Sequence, residues 1–385
     1  MKLLHVAATY LPARRYGGTI VSVHGLCRAL AARGHDVQVF TTSVDGDADS
    51  PVDHGVPIPI DGVSVTYFHS AALRRLYYAP ALGRALRDNA AHFDIIHTHA
   101  IYLWPLWAAA REARRAGVPY VMSLRGMLEK DLIEHKSPVL KAALIGFVEK
   151  RNIESAAAVH VTSAREADEA RAFGFDVKRV VEIPNGVDDH RGGGSVSPAI
   201  AGIVAGAPFA LFLGRINWKK GLDRLIAALP HAGDVRVVCA GNDDERYQPF
   251  LEALAERAGV RQRIVFAGPV DGADKAALLT AARLLVLPSY SENFGNVVLE
   301  AMAAGRPVIV TPEVGVSAVV RDSGAGLVVD GAPETLGGAM VSLVNDLAAA
   351  AKMGERGRAA TVRYTWDAVA QQMESLYESI RAAAC

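Results

Sequence analysis

Two glutamates eight residues apart, Glu292 and Glu300, flank the turn in Pro288-Ser289-Tyr290-Ser291-Glu292-Asn293-Phe294-Gly295-Asn296-Val297-Val298-Leu299-Glu300. The apolar run from Leu284 to Leu287 reads as a buried strand, and Pro288 and Ser289 end it. The Gly295 region then opens a helix whose unpaired N–H groups and dipole attract phosphate. Glu292 falls at the turn, and Glu300 about one and a half turns into the helix. One carboxylate can hold sugar hydroxyls and the other a ribose, so the pair suits a nucleotide sugar. The plain alternative is a capped helix with a first-turn glutamate and a core-facing second one.

A cationic partner precedes this turn in the chain. The run from Phe209 to Leu213 reads as a strand and leads into Gly214-Arg215-Ile216-Asn217-Trp218-Lys219-Lys220-Gly221. Arg215 offers a planar fork and Lys220 a point charge, which together neutralise a diphosphate and favour its departure. A third loop, Phe266-Ala267-Gly268-Pro269-Val270, can offer backbone groups to a base. Nearer the N-terminus, Arg14-Arg15-Tyr16-Gly17-Gly18 opens a helix after the first strand, where N–H groups can meet a pyrophosphate or an acceptor. Asp94-Ile95-Ile96-His97-Thr98-His99 ends another strand, and alternation points the two histidines to one side. No third metal ligand is evident beside them. The adjacent acids Asp243-Asp244 and Asp188-Asp189 read as solvated loop residues, so no metal is expected.

Positioning these loops takes alternating strands and helices. Short Val, Ile and Leu runs recur in two series. The first covers 4–7, 37–40, 63–68, 95–97, 120–124, 159–162 and 180–183; the second covers 209–213, 235–240, 264–267, 284–287, 308–310 and 327–329. Without polar alternation they suit strands buried on both faces, joined by helical crossovers. A chain of 385 residues has room for two such α/β domains. His190-Arg191-Gly192-Gly193-Gly194-Ser195-Val196-Ser197-Pro198 has linker composition, giving domains at 1–192 and 199–364. A last helix, 365–385, carries Trp366, Val369, Ala370, Met373, Leu376, Tyr377 and Ile380 on one face, and is expected to pack back on the first domain.

In chain order, Gly17-Gly18, Asp94-x-x-His97-x-His99, Ile183-Pro184-Asn185-Gly186-Val187-Asp188, Gly214-Arg215 with Lys220-Gly221, and the E-x7-E pair Glu292 and Glu300 resemble the retaining glycosyltransferases of family 4. The resemblance spans nearly the whole chain. It implies the GT-B fold, two Rossmann-like doubly wound domains facing a central cleft. The second domain would bind the donor, a UDP- or GDP-linked sugar, and the first the acceptor, a saccharide or lipid-linked saccharide. By the same resemblance Arg215 and Lys220 bind the diphosphate, Glu300 the ribose and Glu292 the sugar ring. Asn293, Phe294, Gly295, Asn296 and Val297 form the phosphate-holding turn, with Gly17 and Gly18 completing the donor contacts. His99 matches the histidine near the transferred sugar, and Tyr16, His99 and Arg125 are candidates on the acceptor side. Transfer would proceed by front-face chemistry without metal or cofactor, in surface polysaccharide or glycolipid synthesis. One departure stands out: many relatives have histidine where Leu124-Arg125-Gly126 has Arg125, which can meet an anionic acceptor or pair with Glu129. The Asn185-Gly186 turn reads as structural, helping the chain leave the first domain.

Charge and composition bound the rest. Lys plus Arg equals Asp plus Glu at 41 each, and 51% of residues are hydrophobic, which argues against nucleic-acid binding and against disorder. The three scattered cysteines suggest neither a disulfide framework nor a metal cluster, and no apolar run suits a signal peptide or a membrane span. A cytoplasmic location is expected. From Ala71 to Arg151, thirteen Lys or Arg face seven acids, so this segment, through Arg74, Arg75, Lys136 and Lys141, can rest on an anionic membrane at its inner face. A nucleotide-sugar epimerase and a non-catalytic sugar-binding protein are the competing readings. A Rossmann dehydrogenase is not, because Ala7-Ala8-Thr9-Tyr10-Leu11-Pro12 lacks G-x-G-x-x-G.

Overall fold

A computed structural model describes residues 1–13, 17–128, 144–188 and 194–384. The chain divides into two compact units, one formed by Met1–Gly186 with Trp366–Cys385 and the other by Val187–Thr365. The division falls ahead of the glycine-rich stretch, of which residues 190–193 lie outside the described part.

The first unit is built on β1 (Lys2–Ala7), β2 (Asp36–Thr42), β5 (Pro57–Ile60), β6 (Val63–Phe68), β7 (Ile95–His99), β8 (Tyr120–Ser123), β9 (Ala158–Val161) and β10 (Val180–Glu182). A separate small hairpin joins β3 (Val44–Asp45) to β4 (Ala48–Asp49). The sheet order is β10-β9-β8-β7-β1-β2-β6-β5, with every pairing parallel except β5 on β6. β7 and β8 are buried along their whole length, as central strands of a mostly parallel sheet are. The antiparallel edge strand β5, Pro57-Ile58-Pro59-Ile60, was not among the expected strands. Its prolines lack N–H groups and weaken any strand reading, yet at an edge the missing donors go unused.

In the second unit, β11 (Phe209–Leu213), β12 (Arg236–Ala240), β13 (Ile264–Gly268), β14 (Leu284–Leu287), β15 (Val308–Val310) and β16 (Gly326–Val328) form an all-parallel sheet ordered β13-β12-β11-β14-β15-β16. That is the 3-2-1-4-5-6 order of a dinucleotide-binding fold, in which the order reverses between β11 and β14. In such folds the loops after the two strands at the reversal are where ligands bind. The corresponding reversal in the first unit lies between β1 and β7.

The helix Trp366–Ala384 belongs to the first unit. Its face of Trp366, Val369, Ala370, Met373, Leu376, Tyr377 and Ile380 is buried in one apolar cluster with Val23, Leu26, Cys27 and Leu30 of the helix Gly18–Ala32. Arg33 adds ion pairs to Asp367 at 2.9 Å and to Glu374 at 2.6 Å. These partly exposed pairs contribute little beside the apolar face.

Candidate functional site

At the β11/β14 switch point the second unit gathers most of the residues singled out by sequence. After β11 the chain makes a short turn, Trp218–Lys220, and Gly221 follows with φ 66. A side chain on Gly221 would sit 2.0 Å from the Pro288 carbonyl, so glycine lets this loop lie directly on the one after β14. Tyr290 N–H donates to Lys219 O at 2.8 Å, and Lys220 forms an ion pair with Glu292. Both side chains are mostly shielded, at 15% and 17% exposure, which strengthens their attraction. The expected carboxylate and cation are therefore in contact.

Beyond Glu292, Phe294 is buried, and Gly295 with φ 99 turns the chain into the helix Asn296–Ala303. The segment is braced by Glu292 N–H to Glu313 O at 3.2 Å and by Gly315 N–H to Glu292 O at 2.9 Å. Glu300 on this helix pairs with Lys275 at 2.7 Å, a partner from the helix Gly272–Ala281 that sequence reasoning missed. Arg215 is exposed, and among the described residues nothing holds it by a hydrogen bond or ion pair. Arg224, also missed, lies 3.7 Å over the Tyr290 ring, whose hydroxyl donates to Asp223 at 2.8 Å. Asp243 accepts from the N–H groups of Tyr247 at 2.7 Å and Gln248 at 3.0 Å, so it serves the start of the helix Gln248–Arg257.

In the first unit the helix Gly18–Ala32 starts at Gly17, which has φ 75, with no acidic residue in its first turn. Tyr16 lies outside the described residues. His97 and His99 share one face of β7 with rings 4.3 Å apart, and His5 of β1 stands opposite His97 in register. This corrects the expectation that no third metal ligand stands beside the two histidines: ligating nitrogens of His5, His97 and His99 all lie within 4.8 Å of one another. The set nevertheless fits a hydrogen-bonded stack better than a divalent ion. His5 Nδ1 and His99 Nε2 are 2.9 Å apart, both nitrogens of His97 are engaged, and the Arg125 guanidinium lies 3.2 Å from His99 Nδ1.

The ends of the network fix its proton positions. His160 Nε2 must donate to the Ile183 carbonyl at 2.8 Å, so His160 Nδ1 accepts from Ser123 Oγ at 2.6 Å. Ser123 Oγ then accepts from His97 Nε2 at 2.7 Å, and His97 Nδ1 accepts from the Tyr377 hydroxyl at 2.6 Å. In the second chain Arg125 donates to His99 Nδ1, and His99 Nε2–H donates to His5 Nδ1. His5 Nε2–H is left buried without a partner among the described residues. Burial, with help from Arg125, pushes His5 and His160 down to about 3. His97 and His99 fall well below the ordinary range, chiefly through burial and then through the neighbouring imidazoles. His99 is thus neutral at pH 7, 2% exposed and bonded at both nitrogens, a poor general acid or base as placed.

Arg125 is held from its other side by Asn185 Oδ1 at 2.7 Å. The Asn185-Gly186 turn therefore adds a site contact to the structural role expected of it. Glu129, the other partner considered for Arg125, lies outside the described residues, as do Lys136 and Lys141 of the basic segment. Arg74 of that segment is spent on Asp49 at 3.1 Å, while Leu73, Leu76 and Phe147 are exposed. Cys27 and Cys239 are free and buried, and burial pushes both thiols up to about 12. No described helix is long and apolar enough to cross a membrane.

The family described as "Glycosyl transferases group 1" matches residues 197–360, and the "Glycosyl transferase 4-like domain" matches residues 17–186. The chain is 31% identical over 384 residues to the D-inositol 3-phosphate glycosyltransferase of Xylanimonas cellulosilytica, covering 94% of this chain and 91% of that protein. It is 29% identical over 383 residues to the phosphatidyl-myo-inositol mannosyltransferase of Mycobacterium leprae, covering 94% and 93%. Among solved structures, sucrose-phosphate synthase from Thermosynechococcus elongatus aligns with a TM-score of 0.78 at 23% identity over 100% of both chains. HepE from Anabaena, solved with UDP and glucose, aligns with a TM-score of 0.76 at 21% identity over 98% of this chain and 100% of its own. These likenesses establish the GT-B fold.

Proposed function

We propose, for a chain that belongs to glycosyltransferase family 4, that it moves a sugar from a nucleotide diphosphate sugar to a hydroxyl of a saccharide or lipid-linked acceptor, with retention of configuration. The observation that carries this reading is the Lys220–Glu292 contact at the β11/β14 switch point, beside the helix that bears Glu300. A cation poised there can take up the charge developing on a departing diphosphate, with Arg215 exposed on the same loop to share it. The N–H groups at Gly295, Asn296 and Val297 add a positive helix end. Glu300, paired with Lys275, would accept from ribose hydroxyls, and Glu292 from the sugar ring. The leaving diphosphate takes the proton of the attacking hydroxyl, so neither Glu292 nor the neutral His99 needs to act as a base.

Acceptor binding is assigned to the first unit, around Arg125, while Gly17 and Gly18 at the start of the helix Gly18–Ala32 complete the donor contacts. His99 acts there as a positioning residue, because its imidazole reaches the site through Arg125. The acceptor class extends from surface saccharides to glycolipids, since the Xylanimonas and Mycobacterium relatives are named for inositol phosphate and phosphatidyl-myo-inositol. Synthesis at the inner face of the membrane would suit the exposed Leu73, Leu76 and Phe147.

Thermal midpoints measured with UDP, GDP and ADP test the donor assignment. One diphosphate is expected to raise the midpoint at low concentration, by about 2.7 kcal/mol of stability at 100 times its Kd. The matching labelled sugar donor should then leak free sugar and diphosphate slowly without acceptor. No shift with any diphosphate, or binding with no turnover under any condition, would remove the transferase reading in favour of a binding protein. Activity should also survive EDTA, because Lys220, Arg215 and the helix N–H groups supply the positive charge. Complete loss, restored only by a divalent ion, would reverse that assignment.

A further inference from the structure

We propose that Arg125 forms an anion-binding subsite in the first unit, and that the acceptor carries a phosphate or carboxylate which this guanidinium holds. The inference rests on the transferase reading and specifies its acceptor.

Arg125 follows β8 at the carboxyl end of the sheet, where α/β domains take their ligands. Its backbone is left-handed, with φ 56, a conformation a non-glycine residue keeps only where its surroundings hold it there. Of five guanidinium N–H donors, one meets Asn185 Oδ1 at 2.7 Å and one meets His99 Nδ1 at 3.2 Å. The other three find no acceptor among the described residues, and Nε is sealed from solvent. No carboxylate pairs with it there either. Glu166, the acid whose field reaches Arg125, spends its oxygens on Gly126 N–H at 2.5 Å and on Thr162 N–H and Oγ1 at 2.6 and 2.9 Å. His5, His97, His99 and His160 behind it are neutral, so the described residues surround this cation with dipoles and no paired counter-charge.

A shielded charge left in that state is costly, and an oxyanion taking two parallel N–H bonds from the fork removes the cost. Asn185 and His99 fix the plane of the fork in advance, so little freedom is lost on binding. A purely structural arginine would need only those two fixed bonds and no ligand.

The test uses the full chain as wild type, Arg125→Gln and Arg125→Lys. With the preferred nucleoside diphosphate saturating, so that the phosphate site of the second unit is filled, inorganic phosphate is titrated and the thermal midpoint followed. Phosphate is expected to stabilise the wild type, with apparent affinity reduced ~10- to 100-fold in Arg125→Gln and partly kept in Arg125→Lys. Diphosphate binding itself should be equal in all three, which separates a failure of the subsite from a failure of the transferase reading. If Arg125→Gln does not fold, the Lys variant and Asn185→Ala, which frees the fork, carry the comparison. Initial rates with matched saccharides, with and without a phosphate or carboxylate, should then show a kcat/KM preference for the charged acceptor that Arg125→Gln loses. A preference that appears only between donors, uronic against neutral sugar, would assign the anion to the donor and overturn the acceptor claim. Equal phosphate responses in wild type and Arg125→Gln would overturn the subsite altogether.

Discussion

Lys220→Ala and Arg215→Ala should each lower kcat by ~10²- to 10³-fold while leaving the protein folded, the range seen when one donor to developing negative charge is removed. The two variants test the charge in different ways. Lys220 is held by Glu292, so its removal also releases a shielded carboxylate, and part of any loss could come from Glu292 moving. Arg215 is exposed and lacks a hydrogen bond or ion pair among the described residues, so its removal disturbs nothing else. Equal losses in both would point to the diphosphate as the common cause. A loss in Lys220→Ala alone, reproduced by Glu292→Gln, would move the effect to the sugar ring. Steady-state rates at saturating donor, beside circular dichroism, decide the matter. Near-normal turnover in either folded variant would end the diphosphate assignment.

What sequence made legible, and what it hid, follows from where each contact originates. β11, β12, β14 and β15 were readable because strands buried on both faces leave unbroken apolar runs, and each loop after them begins where the run stops. Glu292, Glu300 and Lys220 could be named because each stands at a set distance from such a stop. Their pairings could not, since Lys275 reaches Glu300 from another helix and Lys220 meets Glu292 across 72 positions of chain. The histidine stack was hidden for the same reason. His5 and His99 are 94 residues apart and meet because β1 and β7 are neighbours at the reversal of strand order. One signal was present: His5 interrupts the apolar Leu3-Leu4-His5-Val6 of a buried strand, and a polar residue there needs a partner. Strand order supplies that partner, and the chain's local pattern does not specify strand order.

Trp366→Ala should destabilise the first unit by ~3–5 kcal/mol, the usual cost of deleting a buried indole. The indole is packed between two glycines. A Cβ on Gly25 would lie 2.3 Å from one ring atom, and a Cβ on Gly186 would lie 2.4 Å from another. Both neighbours are backbone at close approach, with no side chain that could swing in to fill the space, so the cavity should persist. The residue also sets the start of the helix that carries Tyr377 to His97, 2.6 Å away, beneath the ring of His99. Tyr377→Phe removes that donor and leaves the buried His97 Nδ1 unsatisfied, a separate cost of about 1–3 kcal/mol. Arg215 and Lys220, the proposed diphosphate residues, lie in the other unit, so nucleoside diphosphate binding should stay near normal in both variants while transfer falls with the loss of Arg125 support through His99. Denaturant unfolding followed by a probe in each unit separates these effects, since the two units need not unfold together. A shift under 1 kcal/mol for Trp366→Ala in the first-unit transition would mean that the terminal helix is held by its lower face alone, and that Trp366 does not anchor it.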